Sequence, residues 1–227
     1  MKILAMSDIH GQFHKFDIDK MPDANEVDMV IIAGDLTNVG VNYPVELNQH
    51  SDLSLFDFEN AKVFIEQFEN KYGLLSVFWI PGNHDWGLLE RHWELGATLI
   101  SFDSAGEWSG CGKKTTIIGE SLSTALDMPH LAKIWAHTTA DPQVDLDAWR
   151  NKPYADIVVS HSPPFGILDM SPGNRRIGSR GLTKYIEWYR PKLVICGHVH
   201  ECKNGYMNYK GTQIYNVATT WRVIELE

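Results

Sequence analysis

The chain has 227 residues, of which 44% are hydrophobic and 22% charged, and its net charge is −9. A chain of this size can bury roughly 70% of its unfolded surface, so one large domain spanning 1–227 is expected and disorder or low complexity is excluded. The acidic balance argues against a protein that holds nucleic acid by charge alone. No apolar run approaches the ~18 residues of a membrane span. The first six residues are too short for a secretory leader and run straight into polar sequence. Cys111, Cys196 and Cys202 are odd in number and widely spaced, so reduced thiols in the cytoplasm are expected.

In chain order, short β-branched runs alternate with helical stretches, the rhythm of an α/β protein. Strands are predicted at 2–7, 27–33, 74–80, 157–160 and 192–196. Residues 36–53 hold Gly, Pro and Asn without a clear period and read as a loop. Leu55, Phe58, Val63, Phe64 and Phe68 predict a helix over 54–72, with Gly73 at its C-cap. Further helices are predicted at 145–151 and 179–189, the latter stopped before Pro191. A hairpin is expected from 206–209 and 212–217 around Lys210-Gly211, and a last strand at 223–226.

The chemistry-bearing residues fall just after the apolar strands. Asp8-Ile9-His10 follows the first, Gly34-Asp35 the second and Gly82-Asn83-His84-Asp85 the third. His161 follows the strand at 157–160, and Gly197-His198-Val199-His200 the one at 192–196. Ligands of open α/β sheets bind beyond the carboxyl ends of strands, so these loops should form one cluster. Any one of them alone is more simply a turn or a helix cap; their order and placement together are not. Asp, His and Asn suit borderline divalent metals better than calcium or a thiolate-bound structural zinc. Seven ligands are too many for one tetrahedral ion and suit two ions sharing a carboxylate, the arrangement that clamps a displacement at phosphorus. Two divalent ions over Asp8 and Asp35 would leave the pocket positive and attractive to phosphate. His14, His50, His92, His130 and His137 are assigned to surface or core.

Together these motifs resemble the calcineurin-like metallophosphoesterase superfamily. The run from His161-Ser162-Pro163-Pro164 to Asp169, followed by Gly-His-Val-His-Glu, is similar to its small stand-alone branch. The resemblance implies a four-layer α/β/β/α sandwich of two mixed sheets flanked by helices. It implies one metal on Asp8, His10, Asp35 and His200 and another on Asp35, Asn83, His161 and His198, with Asp35 bridging. It also implies that His84 faces substrate as a catalytic residue, with Asp85 orienting it. Asn216 is followed by Val217, where many relatives carry Gly, which puts its role in doubt.

The expected activity is hydrolysis of small phosphodiesters, with monoesters as side substrates, through a metal-bridging hydroxide. The two divalent ions would be Mn2+ first, with Fe, Zn, Ni or Co as alternatives. Asn83, His84, Arg175 and Arg176 are candidate substrate contacts, and Arg180 lies in the same stretch. Two rivals use the same scaffold: a nuclease, for which nucleic acid would be substrate only, and a non-catalytic interaction module. The intact His84-Asp85 pair speaks against the second.

Overall fold

A computed structural model describes residues 1–38, 52–73, 77–85, 88–100, 102–110, 113–125, 130, 132 and 135–227. Its strands in chain order are β1 (Lys2–Ser7), β2 (Met29–Ala33), β3 (Val77–Ile80), β4 (Thr98–Leu99), β5 (Gly106–Gly110) and β6 (Lys113–Glu120). They continue with β7 (Ser123–Thr124), β8 (Thr138–Thr139), β9 (Ile157–Ser160), β10 (Met170–Ser171) and β11 (Arg175–Arg176). The last are β12 (Leu193–Cys196), β13 (Gly205–Tyr209), β14 (Thr212–Asn216) and β15 (Thr220–Glu225). The helices are α1 (Asp52–Tyr72), α2 (Pro142–Arg150) and α3 (Arg180–Tyr189).

Two large mixed sheets dominate. One runs β15-β1-β2-β3-β4, parallel from β1 to β4, with β15 antiparallel to β1. The other runs β13-β14-β12-β9-β6-β5, parallel through β14, β12, β9 and β6 and antiparallel at both edges. Alternation along each strand sorts the core into layers. From β1, β2 and β3, Ile3, Ala5, Met29, Ile31, Ala33, Phe78 and Ile80 face Ile117, Ile157, Val159, Leu193 and Ile195 of the other sheet. The alternate residues Leu4, Met6, Val30, Ile32 and Trp79 turn outward against Phe58, Phe64, Ile65 and Phe68 of α1. On the far side, Val158, Val194 and Ile214 pack on Trp149, Leu182, Tyr185 and Ile186 of α2 and α3. Each such side chain taken from water contributes about 1.5–3 kcal/mol. The mixed four-layer α/β expectation matches this architecture.

Element boundaries shift for local reasons. Asp141 caps α2 by accepting from the Gln143 N–H at 2.8 Å, and Pro142 opens it, so the helix starts three residues before the predicted position. Ser179 caps α3, and the helix ends at Arg190 with φ 50° ahead of Pro191. The last strand begins at Thr220 because β15 pairs with β1 along its whole length, Thr220 lying opposite Ser7. Of the predicted loop at 36–53, residues 39–51 lie outside the described residues, as do 74–76 of the third predicted strand and Cys111. The hairpin of β5 and β6 has no counterpart among the predicted elements.

Because β1, β2 and β3 are mutually parallel, as are β9 and β12, each group of motif loops leaves its sheet at one edge. An isolated parallel bridge joins Ser7, at the end of β1, to Ala218 in the link between β14 and β15.

Candidate metal centre

At four of the candidate ligand positions the backbone turns sharply. Asp8, His10, Asp35 and His198 have φ of 55°, 50°, 53° and 66°. Non-glycine residues rarely adopt the left-handed region, and such outliers concentrate at functional sites. Hydrogen bonds hold the turns: the Asp8 N–H donates to the Gly34 carbonyl at 3.0 Å and the His10 N–H to the Asp35 carbonyl at 2.9 Å. Gly34 has φ 94°, and a Cβ there would collide with the His161 ring. Gly197 would collide with Ser7 and the Asp8 carboxylate. Glycine in these motifs is therefore a matter of close approach as well as turn geometry.

The side chains converge. Asp8 Oδ1 lies 3.0 Å from His200 Nε2 and 3.7 Å from His10 Nε2. Asp35 Oδ2 lies 3.3 Å from His161 Nε2, 3.6 Å from His10 Nε2 and 3.9 Å from His84 Nε2. Three groups have donor atoms within 4.8 Å of one another: Asp8 with His10 and His200, His10 with Asp35 and His84, and Asp8 with Asp35 and His161. Asn83 Oδ1 accepts from His161 Nε2 at 3.0 Å, and His198 stacks edge-on to His161 at 5.1 Å without joining a group. His84 does join one, although the family resemblance gives it to substrate alone.

Electrostatics fit a cation. Burial opposes charge on Asp35, but His161, His84 and His10 hold its carboxyl at about 2. Burial likewise opposes charge on Asp8, and hydrogen bonds from His10 and His200 carry its carboxyl well below the usual range. For His161, burial is overcome by the charge and hydrogen bond of Asp35, then by Asp8 and the Ala33 carbonyl, raising it to about 10. A proton on His161 thus stands where a metal ion would neutralise the carboxylates. Its Nδ1 lies 2.8 Å from the Ala33 carbonyl, which fixes Nε2 as the atom that faces the cluster. His10 Nδ1, His84 Nδ1 and Asn83 Nδ2 are buried without a hydrogen-bond partner. The donor set of carboxylates and imidazole nitrogens, gathered within reach of one another, fits divalent metal.

The calcineurin-like phosphoesterase family model matches residues 1–202, a span that contains every motif above. The chain belongs to that family. Membership indicates a phosphoester hydrolase. Among curated relatives, UPF0046 protein K07C11.7 of Caenorhabditis elegans is 27% identical over 229 residues, covering 96% of this chain and 69% of that protein. UPF0046 protein T07D4.2 of the same organism is 26% identical, covering 88% of this chain and 52% of its own length. Among solved structures, the phosphopantetheinyl hydrolase of Mycobacterium tuberculosis superposes with a TM-score of 0.58 at 14% identity, over 96% of this chain and 89% of that one. The protein TT1561 of Thermus thermophilus gives 0.55 at 16% identity, over 94% and 87%. Both share the fold.

Within this calcineurin-like frame, the structure departs from the sequence reading at four residues. Asp85 does not orient His84. Its carboxylate accepts from the N–H groups of Thr37 and Gly82 at 2.8 Å, from Leu36 N–H at 3.2 Å and from the Thr37 hydroxyl at 3.0 Å. It ties the Asp35 loop to the Asn83 loop. Arg176 does not face the cleft: neighbours on a strand point opposite ways, and its guanidinium bonds buried Asp169 at 2.6 Å while Arg175 lines the cleft. Arg180 lies over the Phe165 ring at 4.9 Å. Asn216, despite lacking the following Gly, donates to the carbonyls of Gly197 and Val199 at 3.2 Å and so steadies the loop of His198 and His200.

The cleft beside the cluster has a volume of about 360 Å³. Asp35, Asn83, His84, His198 and His200 line it, together with Thr124, Ala125, Trp135, Pro172, Arg175, Ile177 and Glu201. Trp135, 5.5 Å from the His84 ring, has no sequence signal; Glu201 has one, as the residue following His200. Among the described residues no helix is long and apolar enough to cross a membrane.

Asp85→Ala should remove an acceptor from buried donors and destabilise the metal-free protein by about 3 kcal/mol, or roughly 6–12 °C in Tm. Thermal unfolding measures this, and an unchanged Tm would contradict the tether.

Proposed function

We propose that the protein is a dinuclear-metal-dependent phosphodiesterase that also accepts phosphomonoesters, and that residues 1–227 make a single domain acting in the cytoplasm. Cys196 and Cys202, both free thiols, fit a reducing compartment. The observation that carries the activity is Asp35, whose Oδ2 faces His161, His10 and His84 together. Asp8, His10, Asp35 and His200 would hold one ion, and Asp35, Asn83, His161 and His198 the other, with Mn2+ the first choice among N/O-binding metals. When bound, two such ions lower the pKa of a water held between them and neutralise charge on the phosphoryl oxygens.

The chain supplies the rest. Burial, with only partial compensation from Asp35, lowers His84 to about 4, so its imidazole is neutral at pH 7. It acts as a hydrogen-bond donor to the leaving oxygen rather than as a cationic acid. Arg175, at the cleft wall, supports a phosphoryl oxygen through its fork of donors. The test is hydrolysis of bis(p-nitrophenyl) phosphate and p-nitrophenyl phosphate by Mn2+-loaded protein, with the diester expected to react faster. No hydrolysis with Mn, Fe, Zn, Ni or Co would overturn the reading in favour of a non-catalytic module.

Metal binding must displace the His161 proton. Raised to about 10, His161 stabilises the metal-free protein fully below its unfolded value of 6.5, a contribution lost as pH rises through about 10. Asp35, held at about 2, contributes above its unfolded 3.8 and loses that contribution as pH falls through about 2. Titrating metal-free protein with Mn2+ at pH 7 should therefore release about one proton from His161, and activity should fall below about pH 6 as protons compete for the ligands. Indicator-dye titration reads the release; equal release from His161→Gln would assign the proton elsewhere.

A further inference from the structure

Glu201 directly follows the ligand His200 on the short helical turn His200–Cys202 and lines the same cleft. That turn packs against β10, the partner of β11, whose Arg175 also lines the cleft. Among the described residues, neither Glu201 nor Arg175 has an ion-pair partner within 4.0 Å. Asp35, the other carboxylate of the cleft, is occupied by histidines. The cleft wall therefore offers one cation and one anion that do not neutralise each other. Around them lie apolar surfaces from Ala125, Trp135, Pro172 and Ile177.

We propose that Glu201 is a specificity residue, a charge filter that admits a phosphoryl group with one negative charge and opposes one with two. The inference rests on the phosphoesterase reading above. A phosphodiester carries a single charge at pH 7, whereas a monoester, with a second pKa of about 6, carries nearly two. Arg175 and the metals meet the first charge. The second would face the Glu201 carboxylate across a wall with no other unpaired cation among the described residues. In a diester that oxygen bears an alcohol group instead, and the apolar wall receives it.

The experiment compares Mn2+-loaded wild type with Glu201→Gln and Glu201→Lys on bis(p-nitrophenyl) phosphate and p-nitrophenyl phosphate, at low and high salt. Both substitutions fall on an exposed side chain at the cleft rim, so folding should be unaffected; metal content is checked alongside. Glu201→Gln should raise kcat/KM for the monoester about 3- to 10-fold, the size of one screened charge contact at a surface cleft, with the diester changed by less than about 2-fold. Glu201→Lys should raise the monoester further. Added salt should favour the monoester in wild type and have little such effect in Glu201→Gln. An unchanged ratio of the two substrates in both variants, or equal changes for both substrates, overturns the charge filter alone. Hydrolysis of neither ester by wild type overturns the phosphoesterase reading and the filter with it.

Discussion

Asp35→Asn should empty both proposed metal positions at once. The carboxylate is buried, its Oδ1 accepts the His84 backbone N–H at 2.7 Å, and its Oδ2 is turned to His161, His10 and His84. An amide is almost the same size, so the loop should keep its shape, but it offers a neutral and weaker donor. It also removes the charge that, with Asp8, balances the cations gathered here. Metal content measured by elemental analysis should fall for both ions together, and turnover by more than about 10³-fold, the scale of losing a preorganised electrostatic group. His10→Ala and His161→Ala should each act mainly on one ion. Retention of two tightly held metals by Asp35→Asn would refute the shared carboxylate.

His84→Ala should do the reverse, keeping metal while losing rate. Its Nε2 is the most distant of the three imidazole nitrogens around Asp35 Oδ2, at 3.9 Å, and its ring, lining the cleft, stands 4.6 Å from His10 and 5.5 Å from Trp135. Removing one donor aimed at developing charge costs about 10²–10³ in kcat. The loss should be largest for an alkyl leaving group and shrink for a nitrophenolate, which needs little help to depart. Rates on both substrates, with metal content measured in parallel, decide the matter. Loss of an ion would make His84 a ligand, as its place in the group with His10 and Asp35 allows, and equal rate losses would remove the leaving-group role.

The strands and the convergence of their loops are legible in the sequence because both rest on local signals, apolar runs ended by Gly, Asp or His. Long-range hydrogen bonds are not. The family resemblance makes Asp85 a partner for His84, yet its carboxylate oxygens accept from Leu36, Thr37 and Gly82. Arg175 and Arg176 cannot be separated without the pairing of β10 and β11 that turns one inward and the other toward Asp169. The residue after Asn216 casts doubt on it, whereas its amide serves carbonyls 19 and 17 residues away. The β6 strand, rich in Lys and Thr at its start, carries too mixed a pattern to announce that it lies beside β9 in the middle of a sheet.

The loops of the proposed ligands come from both sheets: Asp8, Asp35 and Asn83 from one, His161, His198 and His200 from the other. Asp8 and His200, 3.0 Å apart, are separated by 192 positions in sequence. Metal bound between them would rivet the two halves of the molecule along their common edge. Binding at a hundred times its dissociation constant adds about 2.7 kcal/mol to the folded state, a large share of the ~5–15 kcal/mol that holds a typical protein together. Catalytic competence and mechanical integrity would then draw on the same ions, and a cell short of metal would hold less folded protein as well as less active protein.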